Sequence, residues 1–366
     1  MTPKTSAALA AAAAVSLAAA LLVHASQTPS TGETTSSGKA LPDLQANAGK
    51  VQRIAVTQGG KPLTIERVED RWLITSQGGY PANAEKVRNL ITALSDAKLL
   101  EPKTKSPARY ALLEVGDPAE ANSNARLIKL EDSSGKPLAQ IIAGKQRPGG
   151  EATSATGQQQ TATYVRRPNE EQSWLASTDI AGGATLKDWA DARVFELPTE
   201  KIKDVTVSVT GESPYMIKRA SDGSHELQDI PEGKRIKYVN MVDNILEAAS
   251  FLDLTKVRKA TATPGGDAGT VSFETDDGLK LSLKVRREKD GVWVTVDPSG
   301  EGAAKAKADE IRTRTAGWEF ETLPSKADTM LKKKSDLMED VGSDTTPDAA
   351  VPPGMSLPGM PPLPQQ

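Results

Sequence analysis

The residues best equipped for chemistry are Tyr164, Arg166 and Arg167. Two arginines beside an aromatic ring can grip a carboxylate or phosphate and stack on a ligand. They are the candidate ligand contacts of this chain. The same run also reads as a strand at a sheet edge whose outward charges block sheet-to-sheet aggregation, and that is the preferred reading. A serine hydrolase would need a histidine base held by a carboxylate. Only His24 and His225 exist, and His24 lies just beyond an N-terminal apolar run, in the expected export segment. His225 lies in Ser224-His225-Glu226-Leu227, a strand-like stretch, where an earlier and similar stretch has Trp72, so packing is expected of it. Asp132-Ser133-Ser134-Gly135 and Asp276-Asp277-Gly278 carry carboxylates that could touch a cation, but hairpin turns call for the same residues. The pairs Gly59-Gly60, Gly149-Gly150 and Gly182-Gly183 lack the lysine-serine ending of a phosphate loop. Lys332-Lys333-Lys334 reads as a solvated helix face, with lipid contact as its alternative. No catalytic, cofactor-binding or metal-binding residue is assigned, and no cofactor is expected.

The elements that would position these residues occur twice. Val51 to Val56 and Leu63 to Val68 alternate apolar and polar residues around Gln58-Gly59-Gly60-Lys61, a hairpin signal. Arg71-Trp72-Leu73-Ile74 adds a third strand. Asn83 is a plausible N-cap for a helix over about 84–100, on which Val87, Leu90, Ile91 and Leu94 share a face. Leu127 to Leu130 and Leu138 to Ile142 form a second hairpin, and Thr163 to Arg166 with Trp174-Leu175 continue the ladder. The second copy has hairpin strands at Val205 to Val209 and Tyr215 to Ile217. Its helix spans about 236–252 with Val242, Ile245, Leu246 and Ala249 on one face. Val271 to Phe273, Leu279 to Val285 and Val292 to Val296 follow. Each copy closes alike, with Phe195-Glu196-Leu197-Pro198 matching Phe320-Glu321-Thr322-Leu323-Pro324. Lys326 to Met338 reads as a short terminal helix. The expected fold is α+β: two tandem copies of an antiparallel sheet with one packed helix, in strand-strand-helix-strand-strand order, as a pseudo-twofold duplication. The copies span 49–200 and 201–340.

Composition sets further limits. The chain has 366 residues, with 45 Lys plus Arg against 48 Asp plus Glu. That balance argues against a nucleic-acid partner. The chain has no cysteine, which excludes disulfides and thiolate metal sites. Lys4, the uncharged Ala7–Val23 run and Val23-His24-Ala25 make residues 1–25 either a signal peptide cleaved near Ala25 or an N-terminal membrane anchor. Seventeen residues at about 1.5 Å each reach roughly 25 Å, slightly short of a ~30 Å hydrocarbon core. Either way the body is exported, to the periplasmic face of the inner membrane. Residues 26–48 read as a flexible linker and 146–161 as a flexible loop. Residues 341–366 form a disordered Pro/Met-rich tail whose Met355, Leu357, Met360 and Leu363 could dock into a groove.

Several of these runs resemble a known family. Asp70-Arg71-Trp72-Leu73-Ile74, Tyr80-Pro81-Ala82-Asn83, Tyr110-Ala111-Leu112 and Asp117-Pro118 resemble the family called domain of unknown function 4340. Thr163-Tyr164-Val165-Arg166-Arg167-Pro168, Gln172-Ser173-Trp174-Leu175 and Trp189-Ala190-Asp191 extend the resemblance to about residues 50–335. The family often has Tyr-Gly-Leu where this chain has Tyr110-Ala111-Leu112. The resemblance implies an exported protein with one N-terminal hydrophobic segment and, through members encoded near ABC-type transporters, an accessory role in the envelope. It implies no residue-level function. The expected function is therefore a non-enzymatic cell-envelope binding or scaffolding protein with an envelope or membrane protein as partner. The membrane itself is contacted through the N-terminal segment if that is kept. The alternative is a periplasmic hydrolase or carbohydrate-active protein with a site between the repeats.

Overall fold

The computed structural model describes residues 38–147, 161–260 and 266–342. The expected signal peptide or anchor at 1–25, the expected linker up to residue 37, most of the expected 146–161 loop and the expected tail beyond Gly342 lie outside the described residues. The chain is a mixed α+β protein built from antiparallel sheets and a few helices. It divides into two compact units, one ending at Asp191 and one beginning at Ala192.

In the first unit, β1 (Arg53–Gln58), β2 (Lys61–Val68), β3 (Arg71–Ile74) and β4 (Tyr80–Pro81) form a meander ahead of α1 (Ala84–Asp96). β5 (Leu99–Pro102) follows the helix, and β6 (Arg126–Glu131), β7 (Pro137–Arg147), β8 (Ala162–Arg166) and β9 (Ser173–Ala176) complete the sheet. Its order is β4-β3-β2-β1-β6-β7-β8-β9-β5. Alternation decides the register: Ile54 and Val56 face Ile65 and Leu63 on one side and Leu130 and Ile128 on the other, all buried. The Asn83 side chain accepts from the Glu85 and Lys86 amides (2.9 and 3.1 Å) and so starts α1. Val87, Leu90 and Leu94 are buried, each worth roughly 1.5–3 kcal/mol. Ile91, expected on the same face, is only half-buried, and the helix stops at Asp96 rather than near 100. Gly182 closes this core. A Cβ there would lie 2.9 Å from Ile128 Cδ1 and 3.2 Å from Leu90 Cδ1.

Two further expectations change in this unit. Residues 39–48 are packed, because Ala40 and Leu44 are fully buried and the Ala40 amide donates to Ala97 O (2.8 Å). Leu41 and Leu44 carry enough apolar surface to anchor a segment that composition alone reads as a tether. β8 is also no edge: it pairs with β7 and β9.

In the second unit, β10 (Arg193–Glu196) precedes β11 (Ile202–Val209), β12 (Tyr215–Arg219), β13 (His225–Leu227) and β14 (Lys234–Ile236). α2 (Met241–Ala249), β15 (Phe251–Asp253), β16 (Val257–Lys259), β17 (Asp267–Thr275), β18 (Lys280–Glu288) and β19 (Gly291–Ser299) follow. α3 (Ala304–Thr315), β20 (Trp318–Thr322), α4 (Pro324–Met330) and β21 (Met338–Asp340) end it. The main sheet runs β13-β12-β11-β17-β18-β19-β20-β16, while β10 pairs with β15 and β14 with β21 as separate ribbons. Val205 and Val207 face Ile217 and Tyr215, and Val242, Ile245, Leu246 and Ala249 of α2 are buried.

The helix expected over about 236–252 spans only Met241–Ala249, an unexpected helix appears, and two further expectations change. α3 carries no apolar stripe in sequence, since its buried side is Ala304, Ala308, Ile311 and Thr315. The closing match falls on unlike strands, with Phe195 in the β10 ribbon and Phe320 in the main sheet. The terminal helix breaks at Leu331, so Lys332 and Lys333 lie beyond α4 and Lys334 opens a short 3-10 turn, Lys334–Leu337.

Candidate functional site

Tyr164 and Arg166 stand on β8 where the segment from Pro107 to Ala125 covers the sheet. Tyr110, Val115, Ala125 and Ile142 form a small buried cluster there, joined by Leu113, Leu127 and Tyr164. Gly144 permits the close approach: a Cβ would come within 2.1 Å of Leu113 O. Arg166 fastens this cover. Its Nε donates to Val115 O (2.9 Å), Nη2 to Gly116 O (3.3 Å) and Nη1 to Glu170 O (3.3 Å), and the guanidinium lies 4.6 Å from the Tyr110 ring centre. Arg167 fastens the start of the chain. It donates to Ala40 O (2.9 Å), Lys39 O (3.3 Å) and the Glu170 carboxylate (2.9 Å). The structure thus gathers all three candidate ligand contacts near one another and commits both guanidinium groups to internal acceptors.

The other sequence candidates are similarly engaged. His225 Nε2 sits 2.9 Å from Ile202 O and pairs across the ladder with Arg219, as Trp72 pairs with Arg67. Asp132 accepts from the Ser134 hydroxyl (2.6 Å) and from the Ser134 and Lys136 amides, and these bonds hold its carboxyl below the ordinary range. Asp277 is lowered likewise, first by the Thr275 hydroxyl. Lys333 pairs with Glu212 (2.6 Å), and Lys334 donates to Asp229 O (2.6 Å). Among the described residues no group of three His, Cys, Asp or Glu side chains comes together as a metal site.

Three surfaces escape a reading of the sequence. The first is a charged quartet in the second unit. Glu319, 1% exposed, accepts from Arg286 Nη1 (2.6 Å) and Arg258 Nε (2.8 Å), and Glu288 Oε1 takes a further bond from each arginine (2.9 and 2.8 Å). Arg258 also covers Trp293, 3.9 Å from the ring centre. Alternation along β18 hints at it, because Leu281, Leu283 and Val285 face inward and leave Arg286 on the opposite face. The second is a shallow polar concavity of about 320 Å³ on the same sheet, lined by Asp204, Thr206, Ser272, Lys280, Ser282 and Asp297. The third is a groove of about 310 Å³ in the first unit, where α1 lies beside β2 and β3. Val51, Trp72, Val87 and Ile91 line it, with Arg67, Asp70 and Arg88 at its polar parts. Arg67 is 3.6 Å from Asp70, while Arg88 and the Trp72 indole N–H have no partner among the described residues.

Lys326 has a strongly displaced titration. Lys326 Nζ donates to Phe251 O (2.7 Å) and lies against the Phe251 ring, and burial pulls its pKa down to about 8. Burial pushes the Tyr215 hydroxyl up; it donates to Lys332 O (2.7 Å).

Fold and surfaces together define an antiparallel α+β protein whose arginine clusters hold its own backbone in place. The chain belongs to the family described as Domain of unknown function (DUF4340), whose profile matches residues 72–269, more than half of its 366 residues. The matched region runs from β3 in the first unit to β17 in the second. No curated protein and no solved structure matches the chain. Among the described residues, no helix is long and apolar enough to cross a membrane.

Proposed function

We propose that this chain is a non-enzymatic binding or scaffolding protein of the cell envelope, exported by its N-terminal segment and accessory to an ABC-type transporter complex. The observation that carries the binding role is the ribbon of β14 and β21. Neither strand pairs with any other among the described residues, so each offers an outer edge. Apolar side chains flank it in the open: Val239 is 92% exposed, Val341 64% and Tyr238 57%. Exposed apolar groups beside free strand edges are what protein partners recognise. A pull-down with the full chain from membranes of the native host tests the proposal. Transporter subunits should be enriched by the wild type and lost with Tyr238→Glu/Val239→Glu. Equal recovery by both chains, or no membrane protein at all, would refute it. A reporter active only outside the cytoplasm, fused after Gln366, tests export separately.

The two units also read as tandem copies. With the two-residue edge strand β4 of the first sheet set aside, and strands ranked by order in the chain, both main sheets follow one pattern, β3-β2-β1-β6-β7-β8-β9-β5 and β13-β12-β11-β17-β18-β19-β20-β16. In each, the helix falls between the third strand of the meander and the far edge strand. Trp72 opposite Arg67 and His225 opposite Arg219 occupy like positions.

A further inference from the structure

One row of the first sheet ends in a charge where alternation calls for an apolar residue. Leu63, Ile65 and Arg67 share a face of β2, and Ile74 and Trp72 share that face on β3, since alternate strand residues point the same way. Leu63, Ile65 and Ile74 are buried. The row then ends on Arg67 opposite Trp72, and both line the groove of about 310 Å³ beside α1. Asp70, which is fully exposed, stands 3.6 Å from the Arg67 guanidinium. That is beyond hydrogen-bond distance, and exposed pairs of this kind contribute little. Arg88, on the helix side of the groove, has no partner among the described residues. In the second unit Arg219 stands opposite His225 in the same way, and there the guanidinium is committed: it donates to Glu200 O and to the Asp276 carboxylate.

We propose that the groove beside α1 binds a small amphipathic carboxylate, an anionic head on a single apolar chain. The planar fork of an arginine matches a carboxylate head. Arg67 and Arg88 against Asp70 give the lining a net positive charge, and Asp70 beside Arg67 disfavours a doubly charged phosphate head. The apolar chain has a floor to lie on. Val51 and Val87 are buried, while Ile91 and the Trp72 ring are half-buried, so a chain laid across them removes their remaining apolar surface from water. The volume sets the size: about 310 Å³ is at the low end of the roughly 300–1,000 Å³ of small-molecule sites, which favours one chain over the two of a bilayer phospholipid. The groove belongs to the first unit, so this binding is separate from partner recognition at the β14–β21 ribbon of the second.

The probe is laurate, kept below its micelle concentration and added to the full chain. The five tryptophans give five indole N–H signals in a ¹⁵N spectrum. Trp72, assigned through Trp72→Phe, should shift and saturate while the other signals hold. Decyl maltoside, which has a similar chain and no charge, should bind at least about tenfold more weakly. Laurate should lose affinity to a like extent, about tenfold, in Arg67→Gln and in Arg88→Gln, since each removes a charge-assisted contact. Raised salt should weaken laurate binding to the wild type, a readout that requires no variant to fold. No response to laurate, equal affinity for decyl maltoside, equal shifts across all five signals, or arginine variants that bind as the wild type does would overturn the proposal. Vesicles carrying an anionic phospholipid separate the sources. A Trp72 response to vesicles with none to laurate would assign the groove to a bilayer surface and overturn a single-chain ligand.

Discussion

Glu319→Gln is the sharpest test of the buried quartet. The substitution keeps shape and removes charge, so one carboxylate oxygen that faces a guanidinium becomes an NH₂ group. Glu319 is 1% exposed and receives both Arg286 and Arg258 within 2.8 Å. Removing one partner of a buried pair costs about 3–5 kcal/mol, because the surviving charge stays buried without compensation. Two features moderate this. Glu288 still pairs with both arginines, and the Arg258 side chain is 26% exposed. The expected loss is therefore near the lower end, about 3 kcal/mol. At roughly 2–4 °C per kcal/mol, the second unit should melt about 6–12 °C lower. Urea unfolding followed by tryptophan fluorescence reads this unit through Trp293 and Trp318, and the transitions of the two units must be resolved before a free energy is extracted. Arg286→Met alone should cost a similar amount. The double variant Glu319→Gln/Arg286→Met should cost clearly less than the sum of the two singles, because it removes a buried charge of each sign together. A Glu319→Gln chain within about 0.5 kcal/mol of wild type, or strict additivity in the cycle, would refute the reasoning.

Other outcomes follow from the same geometry. Arg166→Met should cost about 2–4 kcal/mol and speed hydrogen exchange around Val115, since charged donors to buried carbonyls are lost; Arg166→Lys should rescue only part. Wild-type stability in Arg166→Met would return the residue to the ligand candidates. Leu90→Ala and Ile245→Ala should each lower stability by about 2–5 kcal/mol in thermal melts, as both side chains are buried on the core face of their helices. Lys326 makes stability pH-dependent. Its native pKa is about 8 against ~10.4 unfolded, so between those values the unfolded chain holds more protons and stability rises with pH. After discounting for partial exposure, wild type should gain about 1–2 kcal/mol relative to Lys326→Met between pH 7 and pH 10, measured by urea midpoints at both. A flat difference would contradict the burial of its ammonium.

What was legible in the sequence was local. The hairpins around Asp132 and Asp276, the Asn83 cap and the Val87, Leu90, Leu94 stripe each depend on residues within a turn or two of one another. The family was legible for the same reason, through short runs such as Tyr80-Pro81-Ala82-Asn83. Sheet order was not, because the pairing of β1 with β6 or β5 with β9 joins distant segments that alternation does not match up. α3 stayed hidden because alanine, not leucine, fills its buried face. Of the candidate ligand contacts, Arg166 and Arg167 were correctly singled out as unusual, but apart from the Glu170 carboxylate their acceptors are backbone carbonyls, which carry no sequence signature. Glu319 could not be told from 48 acidic residues by type. Trp72 was visible as a strand residue, and only the approach of α1 makes it part of a groove.

The strand order also dictates when each unit can finish folding. Leu99 in β5 finds its partner Ala176 only when β9 exists, and Val257 in β16 waits likewise for Phe320 in β20. Such distant closures belong to slow folding, in milliseconds to seconds rather than microseconds. A chain that emerges from its N-terminus therefore carries β5 without its partner from Pro102 until Ser173, and β16 from Lys259 until Trp318. Every strand of the first sheet is nonetheless complete by Ala176, before the second unit begins at Ala192. The first unit can close its last edge while the second is still arriving, so the period of vulnerability to misassociation is confined to one unit at a time.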